Sequence, residues 1–226
     1  MVQADNIKTI ARIKTDFSEK FGIPRQSGLA GNISRIVFEE EFRNPEALRG
    51  IEGYSHLWLI WKFSESARDE WSPTVRPPRL GGNTRMGVFA TRSPFRPNPL
   101  GLSSVELVGI EKTNEGHTLV VKGADLLDGT PIYDIKPYLA FTDSHPDAKG
   151  GFADKKLSYS LNVVFPQKLQ EYFSKEALGI ITEILSQDPR PAYIDDPERI
   201  YGLAFSGKQI RFTVSQNTLT VISVEE

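Results

Sequence analysis

The stretch VELVGIEKTNEGHTLVVKGADLLDGTPIYDIKP, residues 105–137, decides the fold of this chain. Short runs rich in Val, Ile and Leu alternate in it with Gly, Asn and Asp, a pattern typical of strands joined by turns. We predict strands at 105–111, 118–123 and 132–137. The stretch therefore indicates a β-rich fold.

Outward from this stretch, the first two-thirds of the chain continues in the same way. We predict further strands at 9–14, 34–39, 56–63 and 86–90, with only short helical pieces such as 45–49 between them. Many short strands at irregular spacing favour a mixed barrel over a βαβ sheet. No G-x-G-x-x-G opens a helix after a strand, so a Rossmann fold has no support. We expect a mainly β fold, with a β-barrel domain over residues 1–150.

The chain changes character after about Gly150. Apolar residues recur at helical spacing from Leu169 to Ile184, which predicts one long helix at 166–187. Asp188 and two prolines then end it, and a hairpin with its turn at 215–217 follows. We expect a small α+β domain at 155–226, with 143–154 as the linker.

Composition limits the classes of function. The chain has 226 residues, no cysteine, a formal net charge of −2 and a pI of about 6.0. Disulfides and thiolate metal sites are excluded, and a nucleic-acid site would have to be a local patch. The first residues lack an apolar signal-peptide core, and no run approaches the ~20 apolar residues of a membrane helix. We expect a soluble intracellular protein.

The segment PTVRPPRLGGNTRMGVFATRSPFRPNPLGLSSV, residues 73–105, carries five arginines and no Asp, Glu or Lys. Arginine suits phosphate and planar-group recognition, and the prolines and glycines make a rigid loop that a ligand can approach closely. This composition favours an anion site. The alternative is a Pro-rich surface loop whose arginines pair with acids elsewhere.

A second segment, ADLLDGTPIYDIKPY at 124–138, sets Asp125, Asp128 and Asp134 close together. Such carboxylates bind cations or ribose hydroxyls, or act as a base. The alternative is turn chemistry, which is favoured for Asp128–Gly129 alone. The histidines form no close pair, so no metal site is expected.

Five segments together resemble one known family. RPPRLGGNTRMGVFATRSPFRPNPLGLS (76–103), DLLDGTPIYDIKPY (125–138), IPRQSGL (23–29), GYSHLWLI (53–60) and DPRPAY (188–193) are similar to the bacterial TrmO (YaeB, TsaA-like) tRNA methyltransferases, in the same order along the chain.

The resemblance implies a non-Rossmann β-barrel, S-adenosylmethionine as cofactor and a cytoplasmic homodimer with cofactor sites near the subunit contact. The implied substrate is N6-threonylcarbamoyladenosine (t6A) at position 37, in the anticodon loop of threonine tRNA, and the product is its N6-methyl derivative, m6t6A.

The family pattern also assigns residues. The implied cofactor-binding residues are Arg25, Gln26, Ser27, Arg92, Phe95, Arg96, Asn98, Asp125, Leu126, Leu127, Asp128, Gly129, Thr130 and Lys136. The implied substrate-binding residues are Arg76, Arg79, Asp188, Arg190 and Tyr193. One departure is that Ser64 and Glu65 stand where many members have a His-Gln pair, which puts a ligand contact there in doubt.

Methyl transfer from a sulfonium is a direct displacement, which needs alignment and exclusion of water but no metal. Loss of the N6 proton helps the attack, and Asp125, Asp134 and Tyr138 are alternative candidates to assist it. Two rival functions stay open: a non-catalytic RNA-binding barrel, and an enzyme acting on a small anionic metabolite.

Overall fold

The fold consists mainly of β-strands. A computed structural model describes residues 7–66, 70–77, 80, 83–156, 159–190 and 196–225. Its strands are β1 (Ala11–Lys14), β2 (Ile33–Phe38), β3 (His56–Lys62), β4 (Thr74–Val75), β5 (Met86–Gly87), β6 (Leu100–Thr113), β7 (Gly116–Lys122), β8 (Pro131–Pro137), β9 (Asn162–Val164), β10 (Tyr201–Phe205), β11 (Lys208–Ser215) and β12 (Thr218–Glu225). The mainly β class predicted from the sequence is confirmed.

Six of these strands form a closed antiparallel barrel. The order is β1-β2-β7-β6-β3-β8, and β8 pairs back with β1 through Ala11↔Ile132. β3 shows why the sheet closes around a core: its alternate residues Leu57, Leu59 and Trp61 are buried, as the two-residue period of a strand requires. Their side chains join those of the other strands in one apolar cluster.

The second sheet lies in the C-terminal third. Its order is β10-β11-β12-β9, and only the β12–β9 pair is parallel among its described pairings. The hairpin between β11 and β12 was predicted from the sequence, and its turn contains Gln216 with φ 53°. The α-helices are α1 (Ala140–Asp143), α2 (Gln167–Gln170) and α3 (Lys175–Ser186), and α3 packs Ile181, Ile184 and Leu185 into this core.

The prediction of one helix over 166–187 is wrong. The chain forms α2 and α3 instead, because the Ser174 side chain accepts a hydrogen bond from the Ala177 amide at 3.2 Å and starts a new helix. Two of the predicted strands differ most from the observed ones in their bounds. The strand at 86–90 ends at Gly87 and continues as a 3-10 turn, and the strand at 105–111 begins at Leu100.

The segment 17–30 leaves the barrel and packs against the C-terminal core. Phe17 is buried, with its ring centroid 5.9 Å from that of Phe205, and Ala30 belongs to the same cluster. Gly22 has φ 91°, and a Cβ there would lie 1.6 Å from Leu203 Cδ1, so no side chain fits. This N-terminal segment therefore forms part of the C-terminal core, and it includes the loop at residues 24–26.

Within the described residues, no helix has the length and apolar character needed to span a bilayer.

Candidate functional site

A cavity of about 680 Å³ opens at one end of the barrel, where four segments that are distant in sequence meet. Its walls come from the 20–26 loop, the end of β3 with the turn after it, the 91–102 segment and the turn at 125–130. The residues lining it are Lys20, Ile23, Pro24, Arg25, Gln26, Trp61, Lys62, Phe63, Ser64, Glu65, Ser66, Thr91, Arg92, Arg96, Asn98, Leu100, Gly101, Leu102, Asp125, Leu127 and Thr130. Its volume lies in the range of small-ligand sites.

Asp125 is held in the cavity wall by a short chain of hydrogen bonds. The Trp61 indole N–H donates to Ser103 Oγ at 3.0 Å, and that hydroxyl donates to Asp125 Oδ1 at 2.5 Å. Burial raises the pKa of the Asp125 carboxyl above its ordinary value, although hydrogen bonds from Ser103 and from the Ser27 backbone and the charge of Arg92 act in the opposite direction. Asp125 is therefore an oriented carboxylate with increased basicity.

Arg92 faces Asp125 from the arginine-bearing segment. Its guanidinium donates to Gln26 Oε1, and the Gln26 amide donates to the Arg25 carbonyl. The cavity thus places a guanidinium, which can bind an anionic group, close to a carboxylate, which can accept a proton.

The loop that carries Arg25 and Gln26 is held in place by the segment that follows α3. Arg25 Nη2 donates to the carbonyls of Asp188 at 2.9 Å and Arg190 at 3.3 Å. Asp188 and Arg190 form a bidentate ion pair at 2.8 and 2.9 Å, and the Tyr159 hydroxyl also donates to Asp188. Burial opposes the charge of Asp188, but the bonds from Arg190 and Tyr159 outweigh it and lower the pKa of this carboxyl.

The remaining wall is apolar. Trp61 and Phe63 pack with ring centroids 4.3 Å apart, and Leu100, Leu102 and Leu127 extend this surface. A Cβ at Gly101 would lie 2.1 Å from the Trp61 ring, so the strand can cover this indole only with glycine. The wall can therefore hold a planar apolar group.

The structure brings together most, but not all, of the residues implied to bind the cofactor. Arg25, Gln26, Arg92, Arg96, Asn98, Asp125, Leu127 and Thr130 line the cavity, and Ser27 bonds to Asp125. Phe95 instead lines a neighbouring pocket, and Leu126 is buried in the barrel core.

Asp128 and Gly129 form a turn outside the cavity. The Asp128 carboxylate accepts the Thr15 amide at 2.9 Å, and Gly129 has φ 75°. Turn chemistry, the alternative weighed above, accounts for both residues.

The other candidate catalytic residues lie on β8 and beyond it, outside the cavity lining. Asp134 pairs with Lys136 at 2.8 Å, and Tyr138 packs against Trp58 with ring centroids 5.5 Å apart. Within one chain, Asp125 is thus the candidate acid that faces the cavity.

The implied substrate-binding residues are dispersed. Arg76 is exposed after β4, whereas Asp188 and Arg190 are engaged with one another. Arg79 and Tyr193 lie outside the described residues.

Several residues in or behind the cavity wall were assigned no role by the sequence analysis. Lys20 donates to the Glu65 carbonyl and joins two walls, while Ser64 and Glu65 line the cavity despite departing from the family pattern. Ser103 is a buried polar residue at an inward strand position, a signal that would have found it. Across the described residues, no group of three or more His, Asp and Glu is arranged to hold a metal.

Comparison with known proteins matches most of the chain to one family. Residues 12–144 match the model of the tRNA-methyltransferase O N-terminal domain, and residues 158–226 match that of the TrmO C-terminal domain.

Individual relatives agree with this match. The tRNA (adenine(37)-N6)-methyltransferase of Escherichia coli is 39% identical over 225 residues, covering 96% of each chain. The enzyme of the same name from Eikenella corrodens is 45% identical over 180 residues, covering 76% of this chain and 97% of its own. The crystal structure of TrmO from Pseudomonas aeruginosa superposes with a TM-score of 0.79 at 31% identity, covering 99% of this chain and 100% of that one.

Proposed function

The chain belongs to the tRNA-methyltransferase O family, and on that premise we propose that it is an enzyme that methylates N6 of adenosine 37 in tRNA, with S-adenosylmethionine as the methyl donor. The observation that carries the proposal is the cavity in which Arg92 and Asp125 meet an apolar wall. The family match supplies the reaction, and the cavity supplies a place for it.

The cavity residues suit S-adenosylmethionine. The guanidinium of Arg92 matches the carboxylate of its amino-acid part, and Trp61 and Phe63 with the neighbouring leucines match its apolar and planar surface. When bound, the cofactor would supply an activated methyl group. Arg25 would be a positioning residue. Its hydrogen bonds to the C-terminal carbonyls fix the loop that presents Gln26 to Arg92.

We propose Asp125 as the group that takes the N6 proton. Among the described residues that line the cavity, the acids are Glu65 and Asp125, and Asp125 is the one oriented by Ser103 and Ser27. Its raised pKa favours proton acceptance, because the ionised form is less stabilised than an exposed carboxylate. The walls would also hold the methyl donor and the acceptor in a fixed arrangement, which favours displacement at carbon.

The finer identity of the substrate is also a proposal. We propose that the adenosine is t6A in threonine tRNA, that the product is m6t6A, and that the enzyme is a cytoplasmic homodimer. In such a dimer, a second copy would offer Asp134, Lys136 and Tyr138 from outside the barrel, where a single chain keeps them away from its own cavity. We further propose two domains, at 1–150 and 155–226, with the 17–30 segment of the first packed in the core of the second.

The direct test is nucleoside mass spectrometry on tRNA from a strain lacking the gene. Loss of one methyl mass from t6A, restored by the wild-type gene, is the expected result. If the methyl mass persists in the deletion strain, the proposed function is wrong.

A companion experiment separates the rival functions. Calorimetry with S-adenosylmethionine should show binding to the wild type, weaker binding to Arg92→Ala, and near-wild-type binding to Asp125→Asn, which should have lost methylation. Glu65→Gln is the matched control and should retain activity. Absence of any cofactor binding would favour a non-catalytic RNA-binding barrel.

A further inference from the structure

Two large aromatic side chains stand exposed beside the cavity. Phe89 is 72% exposed and Trp71 is 50% exposed, and their rings are nearly parallel, with centroids 6.3 Å apart and an interplanar angle of 22°. Two exposed aromatic rings packed side by side mark an interaction site more often than an isolated exposed residue does.

The backbone holds this aromatic pair in place. Trp71 precedes β4 and Phe89 follows β5, and these two strands pair through Thr74↔Gly87 and Val75↔Met86. The Val88 amide donates to the Pro73 carbonyl at 3.0 Å, and the Val88 side chain is buried. The two rings therefore project from the same end of a hairpin that is fixed to the body of the protein.

Arg96 connects the pair with the cavity. Its guanidinium carbon lies 5.9 Å from the centroid of the Phe89 ring, and its Nη1 donates to the Thr91 carbonyl at 3.2 Å. Arg96 lines both the large cavity and a second pocket of about 380 Å³, in which Trp71 and Phe95 are joined by Glu70 and by prolines 94, 97 and 99. The aromatic pair and the proposed reaction site are therefore neighbours with one arginine in common.

The charge around the hairpin is complementary to nucleic acid. Arg76 follows β4 and Arg85 precedes β5, so both extend from the hairpin end opposite to the rings, and both are exposed. The 73–105 segment has no acid, and Glu70 is the acid that the second pocket contains. Exposed aromatic rings between cations are the features by which proteins bind single-stranded RNA, with rings for bases and cations for phosphates.

We propose that the Trp71–Phe89 pair is a stacking platform for an unpaired RNA base next to the nucleotide that enters the cavity. The proposal rests on the proposed function, since a base must be splayed from the anticodon loop to reach Asp125. Arg96 fixes the position of the platform, and Arg76 and Arg85 meet the phosphates beyond it. The second pocket is lined by three prolines, which restrict its backbone, so the platform needs little ordering when RNA binds.

The test compares Trp71→Leu, Phe89→Leu and the double variant with Phe141→Leu. Phe141 is 89% exposed on α1 and serves as the matched control for loss of an exposed aromatic ring. The probe is labelled threonine tRNA from a strain lacking the gene, in a direct binding titration. We expect the double variant to bind it at least about tenfold more weakly and the control to bind as the wild type does, because stacking on one ring contributes about 1–3 kcal/mol.

Three further readouts decide the interpretation. S-adenosylmethionine affinity should be unchanged in every variant, because neither ring lines the large cavity. The wild-type protein should bind a threonine tRNA that has an abasic site beside adenosine 37 as weakly as the double variant binds intact tRNA. The double variant should bind the abasic tRNA only slightly more weakly than the wild-type protein does. The reason is that the base and the two rings form one contact, which is already lost when either side is removed.

The contrary outcomes are distinct. If the wild type methylates tRNA and the double variant binds tRNA equally well, the platform is wrong and the proposed function stands. If the wild type neither binds nor methylates tRNA, the proposed function itself fails. If the double variant changes the oligomeric state in sedimentation analysis and leaves tRNA affinity intact, the rings cover a contact between copies and the RNA proposal is overturned.

Discussion

Ser103→Ala removes the middle member of the hydrogen-bond chain behind the cavity. The hydroxyl accepts from the Trp61 indole at 3.0 Å and donates to Asp125 at 2.5 Å, and its residue is buried on β6. Alanine fits the space but can neither accept nor donate there. The variant therefore changes hydrogen bonding while it leaves packing nearly intact.

The expected loss of stability has two parts. The buried Trp61 N–H loses its acceptor, which costs about 1–3 kcal/mol. Asp125 loses a donor, but it faces the cavity, where water can replace that bond in part. We expect a total decrease of about 2–3 kcal/mol in the free energy of unfolding at pH 7.

The pH dependence distinguishes the two parts. The folded-state pKa of Asp125 is raised by burial, so its ionisation destabilises the fold increasingly as pH rises above the carboxyl's unfolded value of about 3.9. Because the Ser103 bond opposes that shift, its removal raises the pKa further and enlarges the penalty at neutral pH. The Trp61 part does not depend on pH, so the stability loss should be smaller at pH 4 than at pH 7.

Urea unfolding at both pH values measures these changes. Ser104→Ala, on the opposite face of the same strand, is the matched control and should stay close to wild type. The activity–pH profile of Ser103→Ala should move its acidic limb to higher pH. A destabilisation below about 0.5 kcal/mol at both pH values, with an unshifted profile, would refute the assignment of this chain of bonds.

The remaining predictions concern other parts of the fold. Asp188→Asn should lower stability by about 2 kcal/mol, because Arg190 loses its buried partner, and should raise KM for the cofactor more than it lowers kcat; an unchanged KM would show that this pair does not position the Arg25 loop. That variant should also lose less stability than the wild type on acidification, since the lowered pKa of Asp188 stabilises the fold above the unfolded carboxyl pKa and that contribution is lost as pH falls through the folded value. Gly101→Ala should cost about 2–3 kcal/mol in thermal or urea unfolding and alter the near-ultraviolet circular dichroism of Trp61; a wild-type spectrum would contradict the close approach. Ser174→Ala should cost about 1 kcal/mol in urea unfolding by removing the cap of α3, without change in cofactor affinity, and an unaltered midpoint would count against the cap.

Barrel strands such as β1, β2 and β3 were predictable because they bury alternate residues. The two-residue period of β3, and the Asp128–Gly129 turn before β8, are local signals that tertiary contacts did not override. The break between α2 and α3 was missed because Phe173 and Ala177 keep the helical spacing across it, so periodicity alone does not reveal the Ser174 cap. A short strand such as β4 forms because it pairs with β5, and its own two residues give no strand pattern that could be recognised.

The candidate site was only partly predictable. The arginine-bearing and acidic segments were identified from composition and resemblance, but the choice between Asp125 and Asp134 depended on which side chain the barrel directs into the cavity. A register shift between β3 and β8 near Ile60 helps to set those directions, and no local pattern reports it. The anchoring of Arg25 by carbonyls more than 160 residues away is likewise invisible in a sequence read segment by segment.

That anchoring has a consequence for biosynthesis. The loop at residues 24–26 leaves the ribosome early, but the carbonyls that fix it and the core that covers Phe17 and Phe21 belong to residues made much later. A nascent chain ending at residue 150 would therefore carry a barrel with uncovered aromatic side chains and an unanchored cofactor loop. Methyl-donor binding should then begin only after the C-terminal core and the carbonyls of Asp188 and Arg190 have been made, which would keep a nascent chain that lacks them from binding the cofactor.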